Sequence, residues 1–177
     1  MRNFTDPALT IGYLEILSRL TVAVIIGCIL GLNRELHGKP AGVRTHGLVA
    51  LGAALLTVTG VQLSWLSSGK TMDYAVASRF IQGIITGIGF LGAGVILRDD
   101  QKHSVHGLTT AASIWLSACL GIACGLGCWT TAVMALALTL LILIFGGPFE
   151  RAIHRRLHPR LDPNDVLPDV GPPPENC

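Results

Sequence analysis

Leu108–Gly147, reading LTTAASIWLSACLGIACGLGCWTTAVMALALTLLILIFGG, is forty residues without a single charge. As one helix it would be about 60 Å long, roughly twice the hydrocarbon thickness of a bilayer. It therefore divides, and Gly125-Leu126-Gly127 near its middle is the natural turn. Two spans result. Working back toward the amino end, Phe80–Leu97 and Thr45–Leu66 hold no Asp, Glu, Lys or Arg, and Tyr13–Leu32 holds only Glu15 and Arg19. Each is close to the ~20 apolar residues that a crossing helix needs. The expected fold class is all-α, a polytopic membrane protein of five transmembrane helices. Removal of the first segment as a signal peptide would leave four. Its basic start is thin (Arg2, then Asp6), Glu15 and Arg19 interrupt the apolar region, and no small-residue cleavage site stands out.

Composition agrees with this reading. Half of the 177 residues are hydrophobic and 14% are charged, against about 25% in soluble domains. A net charge of +2 is too small to suggest a nucleic-acid partner, and the lipid bilayer is the first partner expected. The five cysteines (Cys28, Cys119, Cys124, Cys128, Cys177) form no CxxC pair and have no His at metal-ligand spacing. They read as small apolar packing residues, and no metal or cofactor is expected.

Lys and Arg set the direction of threading, because they accumulate in cytoplasmic loops. One side of the five spans holds Arg34, Lys39, Arg44, Arg98, Lys102, Arg151, Arg155, Arg156 and Arg160; the other holds Arg2, Lys70 and Arg79. The richer side belongs in the cytoplasm, which puts the amino terminus outside. Three regions follow: an external segment 1–12, a membrane domain 13–147, and a cytoplasmic tail 148–177. The tail is basic from Glu150 to Arg160 and then rich in proline, so it is expected to be disordered. Its basic stretch reads as a positive-inside stop, or as a short helix lying on anionic headgroups.

The third span contains GIITGIGFLGAGVILR from Gly83 to Arg98. Gly87, Gly89, Gly92 and Gly94 imitate a dinucleotide fingerprint, but that motif requires a strand and a soluble βαβ unit, which are missing here. In a membrane, glycine lets helix backbones approach. Gly83-xxx-Gly87 is the minimal form of that motif, and Gly121-xxx-Gly125 repeats it in the fourth span. Alternatively, five glycines within twelve residues break the third helix and free backbone groups for an ion. Polar groups inside the spans are few. Glu15 and Arg19 form an i, i+4 pair near the outer boundary, Gln82 lies one turn below Arg79, and no acid sits mid-span.

The two cytoplasmic hairpins carry the remaining polar candidates. Arg34-Glu35 closes the first span, and Arg44-Thr45-His46-Gly47-Leu48 opens the second. Arg98-Asp99-Asp100 closes the third, and His106-Gly107-Leu108-Thr109 opens the fourth. The recurrence suggests a parallel tandem repeat of spans 1–2 and 3–4. Its acids and arginines would form a salt-bridge network that locks the bundle, or would bind an ion.

Several of these strings match a known family. Gly31-Leu-Asn-Arg-Glu35, Ala41-Gly-Val-Arg-Thr45, Leu48-Val-Ala-Leu-Gly52, Arg79-Phe-Ile-Gln82, Gly87-Ile-Gly-Phe-Leu-Gly-Ala-Gly94 and Gly107-Leu-Thr-Thr-Ala-Ala112 with Trp115 resemble MgtC/SapB membrane proteins, in order over about residues 13–147. The resemblance implies a bacterial inner-membrane protein with five spans, associated with adaptation to magnesium limitation and with intracellular survival. It also implies, for some members, restraint of the ATP synthase and, for others, effects on potassium or phosphate uptake. Virulence-type members carry an ACT-like cytoplasmic domain where this sequence has a Pro-rich tail. They also show Asn and Cys where this chain has Thr109 and Leu116.

The expected function is a non-enzymatic modulator of a membrane transport or ATP synthase complex. Contact would run through Gly83, Gly87, Gly89, Gly92, Gly94, Gly121 and Gly125, with a membrane-protein partner or as a homo-oligomer. Arg34, Glu35, Arg44, Thr45, Arg79, Gln82, Arg98, Asp99 and Thr109 are the polar candidates. The alternative is a small ion channel or transporter whose path runs between the hairpins, lined by Gly87–Gly94. No catalytic constellation is expected.

Overall fold

The computed structural model describes residues 12–68, 74–99 and 104–157. Five α-helices follow one another: α1 (Tyr13–Leu36), α2 (Val43–Ser68), α3 (Tyr74–Ala93), α4 (Leu108–Leu126) and α5 (Trp129–Leu157). All five contain stretches long and apolar enough to cross a membrane. A short ribbon that the sequence reading did not anticipate joins α3 to α4: β1 (Leu97–Asp99) pairs antiparallel with β2 (Ser104–His106).

The helix ends follow local chemistry. Glu15 stands in the first turn of α1 and Arg34 in its last, each favourable to the helix dipole. Between α4 and α5 the chain turns at Gly127, whose φ of 78° is left-handed. There the Gly127 amide donates to the Cys124 carbonyl at 2.9 Å and the Cys128 amide to Ala123 at 2.9 Å, a glycine-dependent C-cap. Gly125 itself remains helical. The glycines of α3 do not break the helix, which is continuous to Ala93 and ends at Gly94. It stops four residues short of the expected Leu97, which belongs to β1.

The chain forms two compact units, divided at Leu140 within α5. In the first, α1, α2 and α4 touch one another, and α3 packs against α2 and α4. Ala53, Ile84, Ala118 and Ile122 form a buried cluster where α2, α3 and α4 meet. Ala132, in the first turn of α5, is fully buried. The second unit is described as a helix from Leu141 to Leu157. The apolar stretch of α5 that is long enough to cross a membrane ends at Gly147, and the helix itself runs on through Pro148 to Leu157. The expected external segment up to residue 11 and the Pro-rich tail from 158 lie outside the described residues.

Polarity is inverted relative to a soluble domain. Arg34, His46, Ser64, Thr110, Ser113 and Ser117 are buried, whereas Leu48, Phe90, Ile142 and Phe145 are well exposed. Apolar side chains outside and hydrogen-bonded polar ones inside is the arrangement that hydrocarbon demands. This is a multi-pass membrane protein.

Candidate functional site

Close approach of α1, α2 and α4 starts from glycine. A methyl group built on Gly27 of α1 would stand 2.6 Å from the His46 carbonyl oxygen, and one on Gly31 would stand 2.7 Å from that of Gly42. On the other flank of α2, a methyl on Gly121 would collide with the Ala50 carbonyl oxygen, and one on Gly125 would lie 2.7 Å from Thr57 Cβ. No Cβ occupies such positions, so α2 is held between two glycine seams. Gly121 and Gly125, expected among the glycines that contact a partner or a second copy, are instead used inside the chain against α2. Gly27-xxx-Gly31 is used in the same way and was missed, although its spacing is the same.

A chain of buried polar groups lines one end of these seams. Arg34, in the last turn of α1, donates from Nη2 to Thr110 Oγ1, in the first turn of α4. Ser113 Oγ donates to the Thr110 carbonyl at 2.8 Å and lies 3.1 Å from His46 Nε2 of α2. Ser117 Oγ donates to the His46 carbonyl at 2.9 Å. His46 Nδ1 is 3.1 Å from the Gly42 carbonyl oxygen, which can only accept, so Nδ1 carries a proton. With neutral His46 the Ser113 hydroxyl must turn to Nε2. With the imidazolium it can stay on Thr110. Thr110, Ser113 and Ser117 recur at helical spacing on one face of α4, which explains how one helix reaches both neighbours.

At the opposite end, Arg19 forms the second tie between α1 and α4. Its Nη1 donates to the Gly125 carbonyl at 2.7 Å, and its Nη2 pairs with Glu15 at 2.5 Å. Arg19 and Arg34 are fifteen residues apart on α1, as are Thr110 and Gly125 on α4, so the two helices run antiparallel with matched rise. The Glu15–Arg19 pair thus does more than set the depth of one helix. It neutralises an arginine that caps the end of another.

The other sequence candidates separate into distinct settings. Glu35 is exposed, and its Oε2 accepts from the Val43 amide at 3.2 Å, capping α2. Arg44 is exposed and Thr45 half-buried in the first turn of α2, while Thr109 is exposed beside the buried Thr110. Arg98 and Asp99 belong to β1, and their side chains, with the network expected of them, lie outside the described residues. The two His-Gly-Leu strings also differ in setting: His46 is inside α2, whereas His106 ends β2 and Gly107, with φ of 91°, precedes α4.

On α3 the face Arg79, Gln82, Gly83, Thr86, Gly87 and Phe90 is exposed along its length. Among the described residues, nothing beyond the helix's own neighbouring backbone lies within 4 Å of a methyl built on Gly83, Gly87 or Gly89. A methyl on Gly94 would meet only its own helix, while Gly92 is buried and a methyl built on it would stand 3.7 Å from the Ala111 methyl. The opposite face, with Ala77, Ile84 and Gly92, is the one buried. Among the described residues no group of His, Cys, Asp and Glu is placed to hold a metal ion.

A family model described as MgtC family matches residues 20–152. Protein SrpB of Synechococcus elongatus is 43% identical over 131 residues, 71% of this chain and 71% of that protein. An uncharacterized protein of Haemophilus influenzae is 36% identical over 159 residues, 88% of this chain and 65% of its own length. Protein MgtC of Salmonella typhimurium is 41% identical over 124 residues, 70% of this chain. The alignment spans only 48% of that last protein, so this chain matches about half of the MgtC proteins' length. No solved structure matches the chain.

Proposed function

We propose that this chain, which belongs to the MgtC family, is a non-enzymatic module of the bacterial inner membrane that modulates a larger transport or ATP synthase complex. It acts by helix–helix contact, in adaptation to magnesium limitation. The supporting observation is the exposed face of α3, where Gln82, Thr86 and two open glycines of a GxxxG pair share one side. Lipid tails gain nothing from an amide, a hydroxyl or a glycine notch, whereas a partner helix can approach the notch and bond the polar groups. Gly121 and Gly125 face inward, so they support the bundle and leave α3 as the contact element.

The same reading places the amino terminus outside and the Arg34 end of the bundle in the cytoplasm, from the distribution of Lys and Arg. A repeat relating α1–α2 to α3–α4 is supported by the contact pattern, since α1 and α3 each touch both α2 and α4. The differing settings of the two His-Gly-Leu strings weigh against a close one. The alternative of a channel within one chain has less support. Its path between the hairpins would cross the α2–α4 seam, where Gly121 lies against Ala50, and Gly87 and Gly89 face outward.

Mild-detergent affinity purification followed by mass spectrometry, comparing wild type with Gly87→Leu, tests the proposal. A stoichiometric membrane protein recovered with wild type and lost with the variant is expected. Recovery of the same homo-oligomer from both would refute it and favour flux assays in liposomes.

A further inference from the structure

Arg34 is 4% exposed, and its Nε is buried without any hydrogen-bond partner. Its Nη2 bonds a neutral threonine hydroxyl, and no carboxylate among the described residues pairs with it. A buried guanidinium without a counter-charge is costly, so its site favours an anion. The group it reaches is the first turn of α4, which follows Gly107 and has no side chain capping its amides. Leu108 and Thr109 of that turn are exposed. Free first-turn amides and the positive end of a helix dipole form an oxyanion cradle, and Arg34 adds a full charge beside it.

We propose that Arg34 and the first turn of α4 bind a phosphate oxyanion. Arg34 lies two residues from the end of α1 and Thr110 two residues from the start of α4. Those positions fall at the membrane boundary, where lipid phosphates are concentrated. An acidic lipid headgroup and free phosphate present the same chemistry, and the guanidinium fork suits both. Thr109, at the second helical position, is placed to add its hydroxyl. This site is independent of the α3 face and of the direction of threading.

The test is thermal unfolding of the purified full chain in detergent, titrated with dihexanoyl phosphatidylglycerol, with inorganic phosphate, or with dihexanoyl glycerol, which lacks phosphate. Wild type should be stabilised saturably by the phosphate-bearing probe and not by dihexanoyl glycerol. A response to the lipid alone identifies a headgroup site, and a response to inorganic phosphate as well identifies a free-anion site. Arg34→Gln should weaken the response about tenfold or more. Thr109→Asp supplies a resident carboxylate at the helix start. It should raise the melting temperature and abolish the response, while Lys39→Gln, exposed on the neighbouring loop, should leave it intact. Equal responses in wild type and Thr109→Asp, or a better response to acetate than to phosphate, would overturn the site. So would the absence of any response in wild type to either phosphate-bearing probe.

Discussion

Gly121→Ala and Gly83→Ala make the same chemical change in two transmembrane helices, yet their effects should have opposite signs. At Gly121 the new methyl meets backbone: the Ala50 carbonyl oxygen, with Ala50 C and Cα at 3.0 Å. Backbone in the middle of α2 cannot rotate away, so α2 and α4 must separate, and overpacking of this kind costs about 1–3 kcal/mol. A separation of about 1 Å would also break the 2.9 Å bond from Ser117 to the His46 carbonyl, worth about 0.6 kcal/mol in a membrane bundle. The change from glycine to alanine returns about 1 kcal/mol of helix propensity. Net destabilisation of about 2 kcal/mol remains, equivalent to a fall of about 4–8 °C in Tm for a chain of this size. At Gly83 none of the described residues outside the helix's own backbone lies within 4 Å of the added methyl, so only the propensity gain of at most ~1 kcal/mol applies. Thermal unfolding in one detergent, followed by fluorescence-detected size exclusion, gives both values. If Gly121→Ala melts with wild type, or if Gly83→Ala falls as far as Gly121→Ala, the assignment of internal and external glycine faces is wrong.

Arg19→Ala should cost about 2 kcal/mol in the same assay, because it removes a charged cap from the last turn of α4. Glu15→Gln should cost under about 0.5 kcal/mol, since its side chain is 52% exposed. Ser117→Ala should lower stability by only about 0.6 kcal/mol through the lost bond to His46, and a much larger fall would mean the seam depends on the hydroxyl more than on glycine. Cysteines introduced at Lys39 and Gln101 should react with impermeant maleimide only in inverted vesicles, and one at Ser68 only in intact cells; the reverse pattern would invert the threading.

Much of the fold was legible because it depends on lengths and on charge-free runs. The turn near Gly127 is an example, since a forty-residue apolar run has to fold back. The β1–β2 ribbon was not legible, because three-residue strands are too short to carry a period. Spacing picked out Gly83-xxx-Gly87 and Gly121-xxx-Gly125 but passed over Gly27-xxx-Gly31, and it could not say which pairs are used internally. Gly121-xxx-Gly125 and Gly83-xxx-Gly87 look alike in sequence, and only the neighbouring helix distinguishes them. The polar site shows the same limit. Arg34 stood out as an arginine at a helix end, but the candidate threonine was Thr109, and its partner is Thr110, about 100° further around α4. His46 and Ser113 are 67 residues apart in the chain. Nothing in either local sequence announces the other until α2 and α4 are known to touch.

On the proposed function, the Gln82–Gly83–Thr86–Gly87 face of α3 docks a different membrane protein. The direct measurement is photocrosslinking in living cells, with a benzoylphenylalanine placed at Thr86 and, as the control, at Leu55 on an exposed part of α2. One discrete protein adduct is expected at Thr86, lost in the Gly87→Leu background, and none at Leu55. Adducts to lipid alone at both positions, or at Thr86 only to a second copy of this chain, would contradict it.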